Sequence, residues 1–267
     1  MQLDHLRDKL APATFVATVS EANRAYLSGI LGAEAARVVV VPNSVDERRF
    51  APVDQRDGDR VVTVGRLIEK KGIGDLVAAC ARLHDQGQGV RLEVIGDGPL
   101  RPHLEQAAAA SGLDVAFLGA LPHEEILARV AGATIFCLPC VVAGTGDRDG
   151  LPTAVLEAMV LGVPVVTTAV NGLADAVVDG ESGLTVPERD PIALAAALAR
   201  LLGDPALADR LGANGRRRVE EHFALHRSVA LLRRHFPSPP GANAGAAALP
   251  GAADVPDGDD QPAPSAA

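Results

Sequence analysis

The chain of 267 residues has no tryptophan, one tyrosine and six phenylalanines, so aromatics make up only 3% of it. A platform for stacking nucleic-acid bases needs successive aromatic rings, and this composition excludes one. Positive charge is also in deficit. Lys and Arg number 25 against 34 Asp and Glu, a formal net charge of −9. Binding a phosphate backbone needs clustered cations, so no nucleic-acid partner is expected. Three cysteines cannot build a disulfide framework, which fits a reducing, cytoplasmic setting. The opening residues, MQLDHLRDKL, alternate charges and lack the apolar core of a secretory signal. The longest apolar stretch, AMVLGVPVVTTAV, is shorter than a bilayer span and is broken by Gly162 and Pro164.

What is present is 48% hydrophobic and 22% charged, a globular balance with material for one large domain or two small ones. Short β-branched runs predict strands at 15–19, 37–42, 60–65, 90–96, 115–119, 133–139, 163–168 and 183–187. Helical periodicity lies between them, at about 73–87, 99–111, 123–131, 151–161, 172–178 and 191–202. Ser20, with Asn23 after it, is placed to open a further helix. Alternation of nearly continuous apolar strands with helices implies a doubly wound, Rossmann-like parallel sheet covered on both faces. In such a sheet the ligand crevice lies beyond the carboxyl ends of the strands. Residues 204–236 read as two closing helices, and 237–267, rich in Pro, Ala, Gly and Asp, as a disordered tail.

Three strand ends carry candidate chemistry. In VGRLIEKKG, Gly65 allows a turn that sets Arg66 at the sheet edge, with Lys70 and Lys71 at the start of a helix. A guanidinium and an ammonium converging there suit a diphosphate, although cations flanking a helix are also common on plain surfaces. In VIGDGPLRPHL, Gly96 and Gly98 follow a strand, but Arg101 breaks the dinucleotide fingerprint. Gly98 is read as part of a close-approach turn near a nucleotide. In GDRDGLPTAVLEAMVLG, Asp149 ends a loop, Pro152 fits a first helical turn, and the amides of Gly150, Leu151 and Thr153 are available to anionic oxygens. Glu157 follows Asp149 by eight residues, a reach of about 10 Å. It stands in a helix apolar nearly all round, where a carboxylate without a partner is costly, so a ligand-facing position is expected.

Other motifs are read more plainly. Cys137 and Cys140 form a CxxC without a second pair, and strand-end packing is expected. His222 and His226 have i, i+4 spacing but no third ligand, so no metal is expected. His123 is read as a polar residue starting a helix.

From about Val16 to Phe236 the chain resembles the carboxyl-terminal lobe of family 4 glycosyltransferases, retaining enzymes of the GT-B fold. The segments TVSEANRAYL, VVVVPNSVDERRF, VGRLIEKKG, VIGDGPL, FLGALPHEEI and DGLPTAVLEAMVLGVPVVTTAVNGLADAVVDGESGLTVPERDPIALAAAL carry the resemblance. The form GDRDGLP looks most like colanic acid and exopolysaccharide members. The resemblance implies that Arg66 and Lys71 grip a diphosphate and that Ala120, Leu121 and Pro122 border the nucleotide. It further implies that Asp149 lies beside the donor sugar and that Glu157 holds ribose hydroxyls. Asp149 stands where the family more commonly has Glu, a side chain one methylene longer. The implied reaction is transfer from a nucleotide-diphosphate sugar to a hydroxyl acceptor, sugar or lipid-linked, with retention and without a cofactor. Peripheral association with a membrane goes with such acceptors. The implied organisation is a remnant of the amino-terminal lobe and junction over 1–50, a nucleotide-sugar domain over 51–203 and closing helices to 236. The amino-terminal lobe, with its acceptor site, is then largely missing, and SVALLRRHF is expected to expose apolar surface. A donor-binding module without transferase activity is the alternative expectation.

Overall fold

The computed structural model describes residues 2–10, 12–50 and 58–236. Among them the strands are β1 (Val16–Thr18), β2 (Val38–Val40), β3 (Arg60–Val64), β4 (Arg91–Ile95), β5 (Val115–Gly119), β6 (Ile135–Leu138), β7 (Val165–Thr168) and β8 (Leu184–Val186). The helices are α1 (Gln2–Leu10), α2 (Glu21–Leu31), α3 (Ile73–Asp85), α4 (Arg101–Ser111), α5 (His123–Ala131) and α6 (Thr153–Val160). They continue with α7 (Gly172–Ala176), α8 (Pro191–Gly203), α9 (Pro205–His222) and α10 (Leu225–Arg233).

Six strands pair in parallel in the order β5-β4-β3-β6-β7-β8, while β1 and β2 form a parallel pair of their own. The chain winds outward from β3 through β4 to β5, then returns to β6 beside β3 and winds the other way. That reversal is a topological switch point, and sheets of this kind bind ligands beyond the carboxyl ends of the strands near it.

Side chains alternate across the sheet as a two-residue period requires. Val61, Leu92, Val94, Ile135 and Cys137 join one core layer with α3, α4 and α8. Val62, Ile95, Phe136, Leu138 and Val165 join the other with α6 and α7. Both faces are therefore buried, which explains the nearly continuous apolar strands. Acceptor side chains open the helices that close the domain. Asp190 accepts from the Ile192 and Ala193 amides at 3.1 and 2.9 Å, and Asp204 from the Leu207 amide at 3.0 Å. Ser20 likewise accepts from the Asn23 amide at 3.2 Å.

Several boundaries differ from the periodicity reading. The helix expected at 99–111 starts only at Arg101, with Pro102 in its first turn. The segment 172–178 is helical only to Ala176, because buried Val177 is already extended (φ −111°, ψ 115°). The strand expected over 37–42 is three residues long. Helix α1 is an element that the charge alternation of its residues does not suggest.

Residues 12–50 dock beside α6, α7 and α10. The Val45 amide donates to the Phe223 carbonyl at 3.0 Å, and the Leu225 amide to the Val45 carbonyl at 2.9 Å. Ser228 Oγ donates to the Pro42 carbonyl at 3.1 Å, and Asn43 Nδ2 to the Leu151 carbonyl at 2.7 Å. Val229, Leu231 and Phe236 are exposed, the apolar surface expected of SVALLRRHF. The tail expected to be disordered, 237–267, lies outside the described residues, as do residues 51–57 at the expected domain boundary. Among the described residues no single helix is long and apolar enough to cross a membrane.

Candidate functional site

The loop after β3 is held against the loop after β4. The Gly65 amide donates to the Ile95 carbonyl and the Leu67 amide to the Asp97 carbonyl, each at 2.9 Å. Arg66, between these two anchors, is exposed, and its guanidinium has no partner among the described residues. Lys70 and Lys71 follow in a single 3-10 turn, Glu69–Lys71. The carbon chain of Lys71 lies over Gly65, where a Cβ would come within 3.4 Å of its Cδ. The glycine thus leaves room for the lysine to reach back across the strand end.

Lys71 is not free. Its Nζ lies 2.9 Å from Asp149 Oδ2, and Lys70 Nζ lies 3.5 Å from Asp149 Oδ1 and 3.1 Å from Asp147 Oδ2. The side chains of Lys70, Lys71 and Asp149 are only 14–17% exposed, so these contacts are partly shielded from water. Burial pulls the Lys70 ammonium down, but Asp147 and Asp149 outweigh it and hold its pKa above the ordinary lysine value. The expected pair of matching cations is therefore one unpaired guanidinium and one ammonium already held by a carboxylate.

The loop bearing Asp149 is tied at several points. The Val141 amide donates to the Lys70 carbonyl and the Gly144 amide to Glu69 Oε1, both at 3.0 Å. Arg189 Nη2 donates to the same Glu69 oxygen at 2.9 Å and to the Val142 carbonyl at 2.7 Å. The Arg189 guanidinium, and then the Gly144 amide, hold the Glu69 carboxyl below its usual range. Asn171, in a left-handed conformation (φ 50°), donates from Nδ2 to the Asp149 carbonyl at 2.7 Å.

A crevice of about 330 Å³ opens over the ends of β3, β4 and β5. Gly65, Arg66, Gly96, Asp97, Ala120, Leu121 and Ile126 line it, with Val64 and Ile95 at its floor. A Cβ at Gly96 would stand 2.0 Å from the Gly65 carbonyl oxygen, and one at Gly98 2.6 Å from the Leu67 carbonyl oxygen. These glycines let the two loops touch. Gly98 is thus spent on packing and does not line the crevice, and neither does Pro122.

Helix α6 opens with the Gly150, Leu151 and Thr153 amides donating to no group among the described residues. Leu151 and Pro152 are buried, and the Leu151 side chain belongs to the core, so only their backbone can serve a ligand. Glu157, on the same helix, is 17% exposed at its side chain, and its Oε1 lies 3.0 Å from His123 Nε2. His123 begins α5, and Ile126, one turn further on the same face, lines the crevice. The pair joins α6 to the helix that carries Ile126, although neither residue itself lines the crevice. His123 is more than a polar helix start, and its proximity to Ala120 and Leu121 in sequence was the available signal. Asp97 and Ile126 were also passed over.

The remaining motifs are structural. Burial pushes the Cys80 and Cys140 thiols up to about 12 and the Cys137 thiol well above its ordinary value, so none supplies a thiolate near neutral pH. Helix α9 ends at His222 and α10 begins only at Leu225, so His222 and His226 do not share a helix face. Among the described residues no three His, Cys, Asp or Glu are grouped to hold a metal ion.

Residues 44–218 match the family described as glycosyl transferases group 1. The chain is 38% identical over 169 residues to the amylovoran biosynthesis glycosyltransferase AmsK of Erwinia amylovora, covering 62% of this chain and 42% of that one. It is 35% identical over 227 residues to the GDP-mannose-dependent α-(1-6)-phosphatidylinositol monomannoside mannosyltransferase of Mycolicibacterium smegmatis, covering 80% and 58%. Sucrose-phosphate synthase from Thermosynechococcus elongatus has a similar structure, with a TM-score of 0.75 at 30% identity over 87% of this chain and 60% of that one. The chain spans about half the length of the curated relatives it matches.

Proposed function

The chain belongs to the group 1 glycosyl transferases, with the α/β fold of a Rossmann-like GT-B lobe, and from that premise we propose that it binds a nucleotide-diphosphate sugar at the crevice over the ends of β3, β4 and β5. It acts there as the donor-holding, carboxyl-terminal lobe of a retaining family 4 transferase in polysaccharide or glycoconjugate synthesis. The observation that carries this reading is Arg66, a guanidinium with no partner among the described residues on the wall of the crevice, beside a second cation folded over Gly65.

Each part of the site has a task that its chemistry suits. The apolar wall from Ala120, Leu121 and Ile126 accommodates a base. Arg66 offers a planar fork to the phosphate oxygens. Lys71 reaches the same oxygens by exchanging Asp149 for phosphate, while Lys70 keeps Asp149 neutralised. Glu157 accepts from the ribose hydroxyls, and Asp149 stands beside the donor sugar. As the sugar departs, negative charge grows on the diphosphate, and fixed cations in a partly dry site lower the energy of that state. The leaving phosphate takes the proton of an acceptor hydroxyl, sugar or lipid-linked, on the face from which it left. No residue of this lobe is assigned as a separate base. An acceptor of the lipid-linked kind brings the protein to a membrane surface.

Calorimetry with UDP and with GDP tests the reading. Arg66→Ala should lose a charge-assisted contact of about 1.5–3 kcal/mol, a loss of roughly 10- to 150-fold in affinity. Unchanged affinity in that variant overturns it. Nucleotide binding with no sugar transfer in the same preparation favours the donor-binding module over the transferase.

A further inference from the structure

Glu157 is the one charged residue of α6, and its carboxylate hangs on a flexible stem, partly buried and facing His123 at the start of α5. A carboxylate that must match two adjacent hydroxyls needs a fixed plane, because a freely turning one loses rotamer freedom when ligand binds. His123 supplies a fixed point. Its ring follows Pro122, whose ring locks the chain at φ −57° ahead of α5, and it meets Glu157 Oε1 at 3.0 Å. An ionised carboxylate only accepts hydrogen bonds, so Nε2 must be the nitrogen that carries hydrogen and donates. The bond engages Oε1 and leaves Oε2 with no partner among the described residues. Both oxygens retain lone pairs for a vicinal diol.

We propose that His123 is a positioning residue that orients Glu157 toward the two ribose hydroxyls and so sets the preference of the site for ribonucleotides over forms lacking them. This rests on the donor-binding reading of the same crevice. His123 acts through Glu157 and does not touch the reacting atoms. It ties α5, which supplies Ile126 to the crevice, to α6, two segments joined by residues 34 positions apart in the chain.

The test is calorimetry of UDP, GDP and their 2′,3′-dideoxy forms with the wild-type chain and with His123→Ala, His123→Gln, Glu157→Ala and Arg66→Ala. The wild type should prefer the ribonucleotide. His123→Ala should weaken ribonucleotide binding about 3- to 10-fold and leave the dideoxy form within about 2-fold. His123→Gln, which still offers an N–H donor, should keep most of the preference, and Glu157→Ala should abolish it. Arg66→Ala should weaken both forms alike. If His123→Ala shifts both forms equally, shifts neither, or tightens binding, the positioning role is wrong while the Arg66 result still supports donor binding. Loss of the preference in His123→Gln to the level of His123→Ala would refute the hydrogen-bond account. A wild type without ribose preference overturns the proposal, and one that binds neither nucleotide overturns the reading beneath it as well.

Discussion

Gly72 and Gly112 have nearly the same left-handed backbone, φ 65° and ψ 17° against φ 65° and ψ 14°. Their surroundings differ sharply. A Cβ at Gly72 would stand 1.8 Å from the Pro139 carbonyl oxygen, whereas at Gly112 the nearest neighbour is His84 Nε2 at 3.8 Å. Substituting alanine at both positions separates backbone strain from collision. The left-handed conformation costs an L-residue about 1–2 kcal/mol, partly offset by about 0.4–1 kcal/mol from the stiffer unfolded chain. Gly112→Ala should therefore lose about 1 kcal/mol. Gly72→Ala bears the same strain and must also push the Pro139 backbone away, although Leu138 and Cys140 on either side are fully buried. Overpacking of that kind adds about 1–3 kcal/mol. At about 2–4 °C per kcal/mol for a chain of this size, Gly112→Ala should melt about 2–4 °C lower and Gly72→Ala about 4–16 °C lower. Gly72 adjoins Lys71, and Pro139 leads into the loop of Asp149, so the second variant should also bind UDP or GDP more weakly. Equal melting shifts for the two variants would refute the collision argument.

Two further outcomes follow from ionisation. The three cysteines should resist iodoacetamide at pH 8 in the native chain and all react in guanidinium, as mass spectrometry will show. Labelling of Cys140 in the native state would contradict its burial and a thiol pushed up to about 12. Because the unfolded thiols ionise nearer 8.5, these buried thiols should also erode stability as pH rises above that value. Burial raises the Asp75 carboxyl above its ordinary value despite the nearby Arg189. Its ionised form is therefore disfavoured in the fold, and Asp75→Asn should raise the urea midpoint at pH 7. That gain should vanish as pH falls below about 3.8, where the carboxyl is protonated folded or unfolded. A gain that persists in acid would point to a cause other than charge.

The strand ends were legible because each combines a β-branched run with a turn residue, as in VGR before Arg66 and VIGDG before Gly98. Asp149 and Glu157 stood out as acids beside or within an apolar helix. What periodicity does not carry is partnership. Lys70 and Asp147 are 77 residues apart, and Gly144 and Glu69 are 75 apart. Arg189 and Glu69 are 120 apart, and only the parallel sheet brings them together. For the same reason the sequence does not show that Asp149 holds Lys71, or that the close approach at Gly98 is to the Leu67 backbone. The strand order escapes local reading too, since β3 pairs with β6 across two intervening strands.

The bond between Ser228 and Pro42 joins residues 186 positions apart, and the bridge of Val45 with Ala224 spans nearly as much chain. Ring closure over such a length is entropically expensive and slow compared with local pairing. During synthesis from the amino end, β1, α2 and β2 must wait until α10 has emerged before this latch can fasten. The central sheet can assemble beforehand, so the closing of this latch follows the assembly of the sheet. A ribosome stalled before residue 224 would display a finished sheet on which residues 12–50 hold only through bonds such as that of Asn43 with Leu151, without the latch to α10.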